Sequence, residues 1–247
     1  MPQSNSSPSF NLSLQKIFSC WWKNLFSLLP LSLIPSLLYN QLTLNFLKES
    51  HLALPLKIIL GIIAALIAIY FTIALNAKSM GFVYQRPLTY SQSLALGLTR
   101  FASFFQVCLF LLVLMLPSLA GSFGLVDKNN MTLILVLTLL AFIAVVLLIY
   151  SACALPLVVV ENTPAREAIR QSFLLVKNHW WFVVAIYFTV GIFNLSLFIM
   201  GSLIQKEAGI LIAAILSRPL STVADIVILT ALKPNLLPRN LPATEKI

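Results

Sequence analysis

The sequence contains six stretches of about 20 or more residues that are rich in apolar side chains and nearly free of charge. They cover 25–47, 58–77, 101–125, 131–160, 180–204 and 208–232. A helix needs about 20 such residues to cross the hydrocarbon core of a bilayer, and backbone groups in lipid must be satisfied within helices or closed barrels. The pattern therefore predicts an all-α polytopic membrane protein: one domain of six transmembrane helices, with a short tail at 233–247.

Composition excludes several other classes of protein. Hydrophobic residues make up 60% of the 247 residues, charged residues only 9%, and mean hydropathy is +0.96, which is far from a soluble domain. The net charge of +9 is too dispersed for a nucleic-acid-binding face. The three cysteines are isolated, and the motifs of hydrolases, zinc enzymes and P-loop ATPases are missing from the sequence. We therefore expect no enzymatic activity, no metal, no cofactor and no nucleic-acid partner.

Two of the predicted spans have unusual features. The first contains Pro30 and Pro35, which remove backbone donors and favour a kink. The fourth has about 30 residues, so one straight helix would be about 45 Å long and would have to tilt or protrude. Pro156 is predicted to mark its exit from the bilayer.

Basic residues are divided unevenly between the two sides of the predicted bundle. Eleven lysines and arginines fall on the side of both termini, four fall on the other side, and Arg218 lies inside the sixth span. Short loops rich in lysine and arginine remain in the cytoplasm. The asymmetry predicts a multi-pass protein of the cell inner membrane with both termini in the cytoplasm.

A spacing of 77 residues recurs along the chain. Lys23, Arg100 and Lys177 follow it, and each precedes an apolar stretch. Alanines near the ends of the even-numbered spans follow it too: Ala77, Ala154 and Ala231. One interpretation is three repeated hairpin units related by rotation about the membrane normal. The other is that evenly spaced hairpins place basic residues periodically through topology alone.

The segment Thr163–Asn178 has the start signals of a helix between two spans. Thr163 is a candidate N-cap, Pro164 suits the first helical position, and Glu167 favours the positive end of the helix dipole. Weaker versions of the segment occur at Leu12–Asn24 and Thr89–Arg100. All three are predicted to be amphipathic interfacial helices on the cytoplasmic side.

Helical periodicity divides the side chains of this segment between two faces. The apolar stripe contains Ile169, Phe173, Val176 and Trp180. A helix with a basic face fits the headgroup region, where each cation gains about 1 kcal/mol from an anionic leaflet. The candidate lipid-headgroup contacts are Arg166, Arg170, Lys177, Lys23 and Arg100. Two interpretations remain open: anchoring of the topology, or recognition of anionic lipids or a protein partner.

Arg218 and Asp225 form the candidate polar site inside the membrane. Each charge near the bilayer centre costs about 2.5 to 3.5 kcal/mol, and seven residues of helix place the two about 10 Å apart on nearly one face. Pro219 disfavours helical backbone at Arg218, so we expect a break whose freed carbonyls bond the guanidinium. Asn194 and Asn76 are candidate hydrogen-bond partners in other spans. The pair is either structural or lines a site for a headgroup or solute.

The segment 154–178 resembles a characteristic stretch of a bacterial six-span family, the YciC-like inner-membrane proteins, which are related to the membrane domain of some glycerophosphodiester phosphodiesterases. The matching positions are Pro156, Glu161, Ala168, Ser172, Lys177 and Asn178. The resemblance implies an all-helical inner-membrane protein without an established activity. The sequence has no soluble segment long enough for the phosphodiesterase domain, so catalysis is not implied.

Two functional hypotheses follow. The first is a non-enzymatic membrane adaptor or envelope-maintenance protein that binds anionic membrane lipids, or a protein partner, through its basic interfacial helices. The alternative is a transporter of a small or lipidic substrate that uses Arg218 and Asp225 inside the membrane.

Overall fold

The computed structural model describes residues 8–40, 54–122, 131–204 and 206–234. Helices dominate these ranges, and no strand occurs within them. The helices are α1 (Phe10–Asn40), α2 (Leu54–Val83), α3 (Tyr90–Ser122), α4 (Met131–Tyr150), α5 (Ala154–Glu161), α6 (Ala165–Lys177), α7 (Trp180–Ile204) and α8 (Lys206–Leu232).

Six stretches of the described helices are long and apolar enough to cross a membrane. They are Phe10–Leu38, Pro55–Val83, Tyr90–Leu116, Thr132–Glu161, Trp180–Ile204 and Ala208–Leu232. The predicted all-α, six-span fold is confirmed, and the chain is a multi-pass membrane protein. Parts of the predicted first and third spans, 41–47 and 123–125, and the tail at 235–247 lie outside the described residues.

The centre of the bundle is formed by α2, α5 and α8. Long helices pack as neighbours in the order α7, α8, α1, α2, α3 and α4, and α2 also contacts α8. The short α5 lies against α2, α3 and α8. Ile73, Leu157 and Ile228, one from each central helix, are completely buried. Because α5 is almost entirely buried, it fills the end of the bundle and gives α6 a surface to pack on.

The predicted fourth span is present as Thr132–Glu161, but it is not one continuous helix, because α4 ends at Tyr150 and α5 starts at Ala154. The hydroxyl of Ser172 on α6 occupies the break: it donates to the Tyr150 carbonyl at 2.7 Å and accepts from the Cys153 N–H at 3.0 Å. Pro156 lies in the first turn of α5 rather than at the exit of the span, a position where its missing N–H is tolerated. The long apolar stretch is therefore divided by a turn, and Ser172 on α6 holds this turn in place.

We expect Ser172→Ala to lower the stability of the fold by about 2 kcal/mol, because a buried donor and a buried acceptor each lose their partner. Thermal unfolding in detergent measures the effect. Ser196→Ala is the matched control, since Ser196 is exposed on α7 and bonds only its own helix at Ile192. Equal melting temperatures for the two variants would contradict the role of Ser172.

The other two predicted interfacial helices are not separate elements. Leu12–Asn24 is part of α1, and Thr89–Arg100 consists of Thr89 and the first residues of α3, with no interruption before the apolar stretch. Only α6 is set apart from its span, by the turn at Asn178 and His179. α1 also continues through both of its prolines.

The 77-residue spacing reappears in the backbone. Gln85 and Asn162 share the same spacing, and both have positive φ, 58° and 59°. This left-handed conformation is uncommon for residues other than glycine, yet it turns the chain after α2 and again after α5. The first two predicted hairpin units therefore have this left-handed residue at equivalent positions. Their origin by duplication stays a prediction.

Candidate functional site

The outer face of α6 carries three exposed cations, Arg166, Arg170 and Lys177, which we call the cationic face. Leu174 lies among them and is 60% exposed. Helical periodicity predicted that these basic residues share one face, and their exposure is confirmed. The cationic face therefore brings together three of the five predicted headgroup contacts.

The inner face of α6 is fixed to the bundle. Ala168, Ser172 and Val176 are completely buried, and the Phe173 ring stacks on Tyr150 with 5.3 Å between centroids. The predicted apolar stripe therefore packs in part against protein. A rigidly held inner face presents the three cations in a fixed arrangement.

The start of α6 differs from the prediction. Thr163 does not act as a cap, and Pro164 occupies the N-cap position, with extended backbone and α6 beginning at Ala165. The Pro164 carbonyl accepts the first helical bond, from the N–H of Ala168 at 2.9 Å. Proline fits here because its φ is already fixed and no donor is needed.

One carboxylate balances part of the positive charge on α6. Arg170 Nε lies 3.0 Å from Glu167 Oε2, and Gln171 Nε2 donates to Glu167 Oε1 at 2.9 Å. These hydrogen bonds, that of Arg170 first, lower the pKa of Glu167, so the group stays ionised at neutral pH. The helix still carries three cations against one anion.

Exposed aromatic side chains accompany basic residues at the beginning of α7 and midway along α1. Trp181 at the beginning of α7 is 80% exposed. On α1, Lys23 is exposed beside Trp22 and Phe26, which are 70% and 85% exposed. Tryptophan prefers the boundary between headgroups and hydrocarbon. This combination is typical of a protein surface at the lipid headgroup level.

The prediction that Arg100, the fifth candidate headgroup contact, lies on the surface is wrong. Its side chain is only 5% exposed, and it shares the inward face of α3 with Ser93, Phe104 and Val107, all of them buried. Periodicity groups these residues 7, 4 and 7 positions from Arg100 on one side of the helix. Packing of that side into the bundle removes Arg100 from the surface.

Lys78, one of the eleven basic residues counted on the side of the termini, is buried as well. It lies within α2 at 4% exposure, donates to the Leu88 carbonyl at 3.0 Å, and sits 3.8 Å from the centre of the Tyr90 ring. The turn that brings Leu88 back to Lys78 passes close to Gly81, where a Cβ would come within 2.7 Å of the Arg86 carbonyl. Lys78 therefore holds the turn between α2 and α3.

The ends of α5 and α8 are joined by an ion pair. Glu161 at the end of α5 binds the ammonium of Lys233, which directly follows α8. Burial, assisted by the negative charge of Glu161, raises the pKa of Tyr84, so its phenol remains neutral. Glu161 of the family-like segment therefore has a structural partner.

Asp225 is bound by a residue that the sequence analysis missed. Tyr187 Oη on α7 donates to Asp225 Oδ1 at 2.6 Å. Nearby on the same two helices, Asn194 Nδ2 donates to Ser221 Oγ at 3.1 Å, so Asn194 bonds between helices, but to Ser221 and not to Arg218 or Asp225. Ser221 and Asp225 of α8 are thus both bonded from α7. The signal in the sequence is a tyrosine and an asparagine seven residues apart, on one face of an apolar span.

The predicted helix break at Arg218 is wrong, because α8 continues through Pro219. Proline removes the donor for the Ile215 carbonyl. The hydroxyl of Ser32 on α1 donates to this carbonyl at 3.1 Å, and Trp21 Nε1 donates to the Leu216 carbonyl at 3.2 Å. Side chains of α1 therefore satisfy the backbone that the proline disturbs, and the helix stays intact.

An apolar cavity of about 210 Å³ lies between α7 and α8, at the ends of these helices remote from α6. Its lining residues come from the last part of α7 and the first part of α8, among them Met200, Gly201, Gly209 and Leu216. Asp225 and Tyr187 do not line it. This cavity is suited to hydrocarbon and does not lead to the carboxyl group.

Comparisons with known proteins give no match to this chain among protein-family models, curated proteins or solved structures. The resemblance to the YciC-like family therefore stays a prediction. Its matching residues have defined contacts: Ser172 holds the break between α4 and α5, and Glu161 binds Lys233.

Proposed function

We propose that this chain is a non-enzymatic integral inner-membrane protein that binds anionic phospholipid headgroups at its cytoplasmic side and serves as a membrane adaptor or in envelope maintenance. The observation that carries the proposal is the cationic face of α6, whose Arg166, Arg170 and Lys177 are exposed together. Each cation near an anionic leaflet contributes about 1 kcal/mol. Three cations on one rigid helix favour anionic over zwitterionic lipid.

The arrangement of α6 supports lipid binding as a function of its basic residues, in addition to fixing the orientation of the protein in the membrane. Anchoring requires only basic residues in a loop, whereas here the loop is a helix whose inner face is buried at Ala168, Ser172 and Val176. The backbone of α6 therefore loses little conformational freedom when a headgroup binds. The basic excess on this side also supports cytoplasmic termini.

The contacts of Asp225 favour the adaptor over the transporter. Its carboxyl group accepts a short hydrogen bond from Tyr187 within the bundle, and the apolar cavity lies elsewhere along the same helices. A satisfied polar contact between two spans stabilises helix packing. These observations support a structural role for Asp225.

The test is the combined variant Arg166→Gln, Arg170→Gln and Lys177→Gln. We expect the ratio of anionic to zwitterionic phospholipid that copurifies in mild detergent to fall at least about tenfold, since the loss of three contributions of about 1 kcal/mol each exceeds one decade in affinity. Mass spectrometry of the extracted lipid measures the ratio.

Glu167→Gln is the control on the same helix. It removes the one carboxylate from α6, so anionic lipid should be retained at least as well as in the wild type. A folded triple variant whose lipid profile equals that of the wild type would refute the proposed function.

A further inference from the structure

The ring of long helices has one open position. In the predicted hairpin units, α2 packs against α3 and α8 packs against α1, each closely. The corresponding pair in the second and third units is α4 and α7, and these two helices make only sparse contact. Two of the three junctions between units are therefore closed, and the third is open.

α4 and α7 meet at the end of the bundle where α6 lies. There the rings of Tyr150 and Trp180 are 4.8 Å apart. Along the rest of its length α4 packs mainly on α3, and only 6% of its most apolar window is buried. The described helices thus leave a lateral cleft between α4 and α7, which opens to the bilayer.

The walls of the cleft are apolar. On α7, Val184 and Gly191 are 4 and 11 residues beyond Trp180 and share its face. A Cβ placed on Gly191 would meet no atom within 4 Å, as expected beside an open space. α4 carries no charged residue, and its polar side chains are Thr132 and Thr138. Such walls fit a hydrocarbon chain.

Towards the α6 end of the cleft, the side chains along its walls change from apolar to aromatic and then to cationic. Tyr150 lies between Phe173 and Trp180, with ring centroids 5.3 Å and 4.8 Å away. Lys177 is exposed three residues before Trp180, and Arg170 lies two turns earlier on α6. A phospholipid has parts that match this order: an apolar acyl chain, an interfacial glycerol and a charged phosphate.

We propose that the cleft between α4 and α7 binds one anionic phospholipid, with an acyl chain along the two helices and its headgroup at Lys177 and Arg170. This proposal rests on the proposed function, because it assigns a site to the same anionic lipid. Charge complementarity at the α6 end identifies the occupant.

A second helix fits the cleft less well than a lipid. Helices associate in membranes through small residues that allow their backbones to approach. The exposed side chains of α4 are large: Leu135 is 71%, Phe142 68% and Leu139 60% exposed, whereas the small Ala144 is buried. A flexible acyl chain follows such a surface more readily than a rigid helix.

Gly191→Phe tests the site by filling the cleft, and Gly61→Phe is the matched control. Gly61 lies on a different helix, α2, and a Cβ placed on it would likewise meet no atom within 4 Å. Native mass spectrometry from mild detergent counts the phospholipid retained per protein molecule. We expect retained anionic lipid to fall at least about fivefold in Gly191→Phe and to be unchanged in Gly61→Phe, with equal melting temperatures.

The outcomes separate the two proposals. If the triple glutamine variant loses lipid and Gly191→Phe keeps it, the cleft is refuted and the proposed function stands. If Gly191→Phe loses lipid but the triple variant does not, the headgroup assignment and the proposed function both fail. A wild-type protein that retains no phospholipid, or that carries a second copy of the chain instead, overturns the cleft assignment. Gly191→Leu repeats the test with a smaller side chain if phenylalanine lowers the melting temperature.

Discussion

Gly209→Ala is expected to destabilise the protein by about 3 kcal/mol or more, the upper end of the usual cost of overpacking. A Cβ on Gly209 would lie 1.8 Å from the Gly201 carbonyl oxygen, and a Cβ on Gly201 would lie 2.3 Å from that of Gly209. Both obstacles are backbone atoms, which cannot rotate away. α7 and α8 would have to separate where they approach most closely, so we expect a lower melting temperature in detergent.

Gly61→Ala is the control for this prediction. Nothing lies within 4 Å of a Cβ at Gly61, and alanine is the better helix former by about 1 kcal/mol. The control should therefore melt at or slightly above the wild-type temperature. If Gly209→Ala also melted there, the close approach of the two backbones would be refuted.

Tyr187→Phe is the second substitution with a large expected effect. It removes the hydroxyl that donates to Asp225 Oδ1 at 2.6 Å, and it leaves the carboxyl group without this donor between two apolar spans. A buried acceptor left without its partner costs about 1 to 3 kcal/mol, so we expect a loss of this size. Unfolding in detergent followed by circular dichroism measures it.

A double-mutant cycle isolates the contact. Once Asp225→Leu has removed the acceptor, Tyr187→Phe should cost at least about 1 kcal/mol less than in the wild-type background. Asp225→Asn keeps an acceptor oxygen and should be milder than Asp225→Leu. Strict additivity of the two substitutions would show that the bond contributes nothing to stability.

The number and length of the spans could be predicted from the sequence because the bilayer fixes both. The fifth and sixth predicted spans, 180–204 and 208–232, agree with the structure at both ends. The break between Tyr150 and Ala154 could not be predicted, because a broken and an intact helix have the same apolar composition. Ser172, which bonds both sides of the break, lies 22 residues beyond Tyr150 in the chain.

The candidate site was predictable only in part, for a related reason. Periodicity shows which residues share a helix face, and on α6 this was enough to group Arg166, Arg170 and Lys177. It does not show which face turns inward, so Arg100 was expected on the surface and is buried. Tyr187 was missed because its contact with Asp225 spans 38 positions and depends on how α7 and α8 align.

The bonds from α1 to α8 constrain how the protein is assembled during synthesis. Ser32 and Trp21 donate to the carbonyls of Ile215 and Leu216, and about 180 residues must be translated between donor and acceptor. Until α8 has been inserted, these two side chains lack their final acceptors in the bilayer. The packing of the described helices is therefore complete only after α8, the last of them, meets α1.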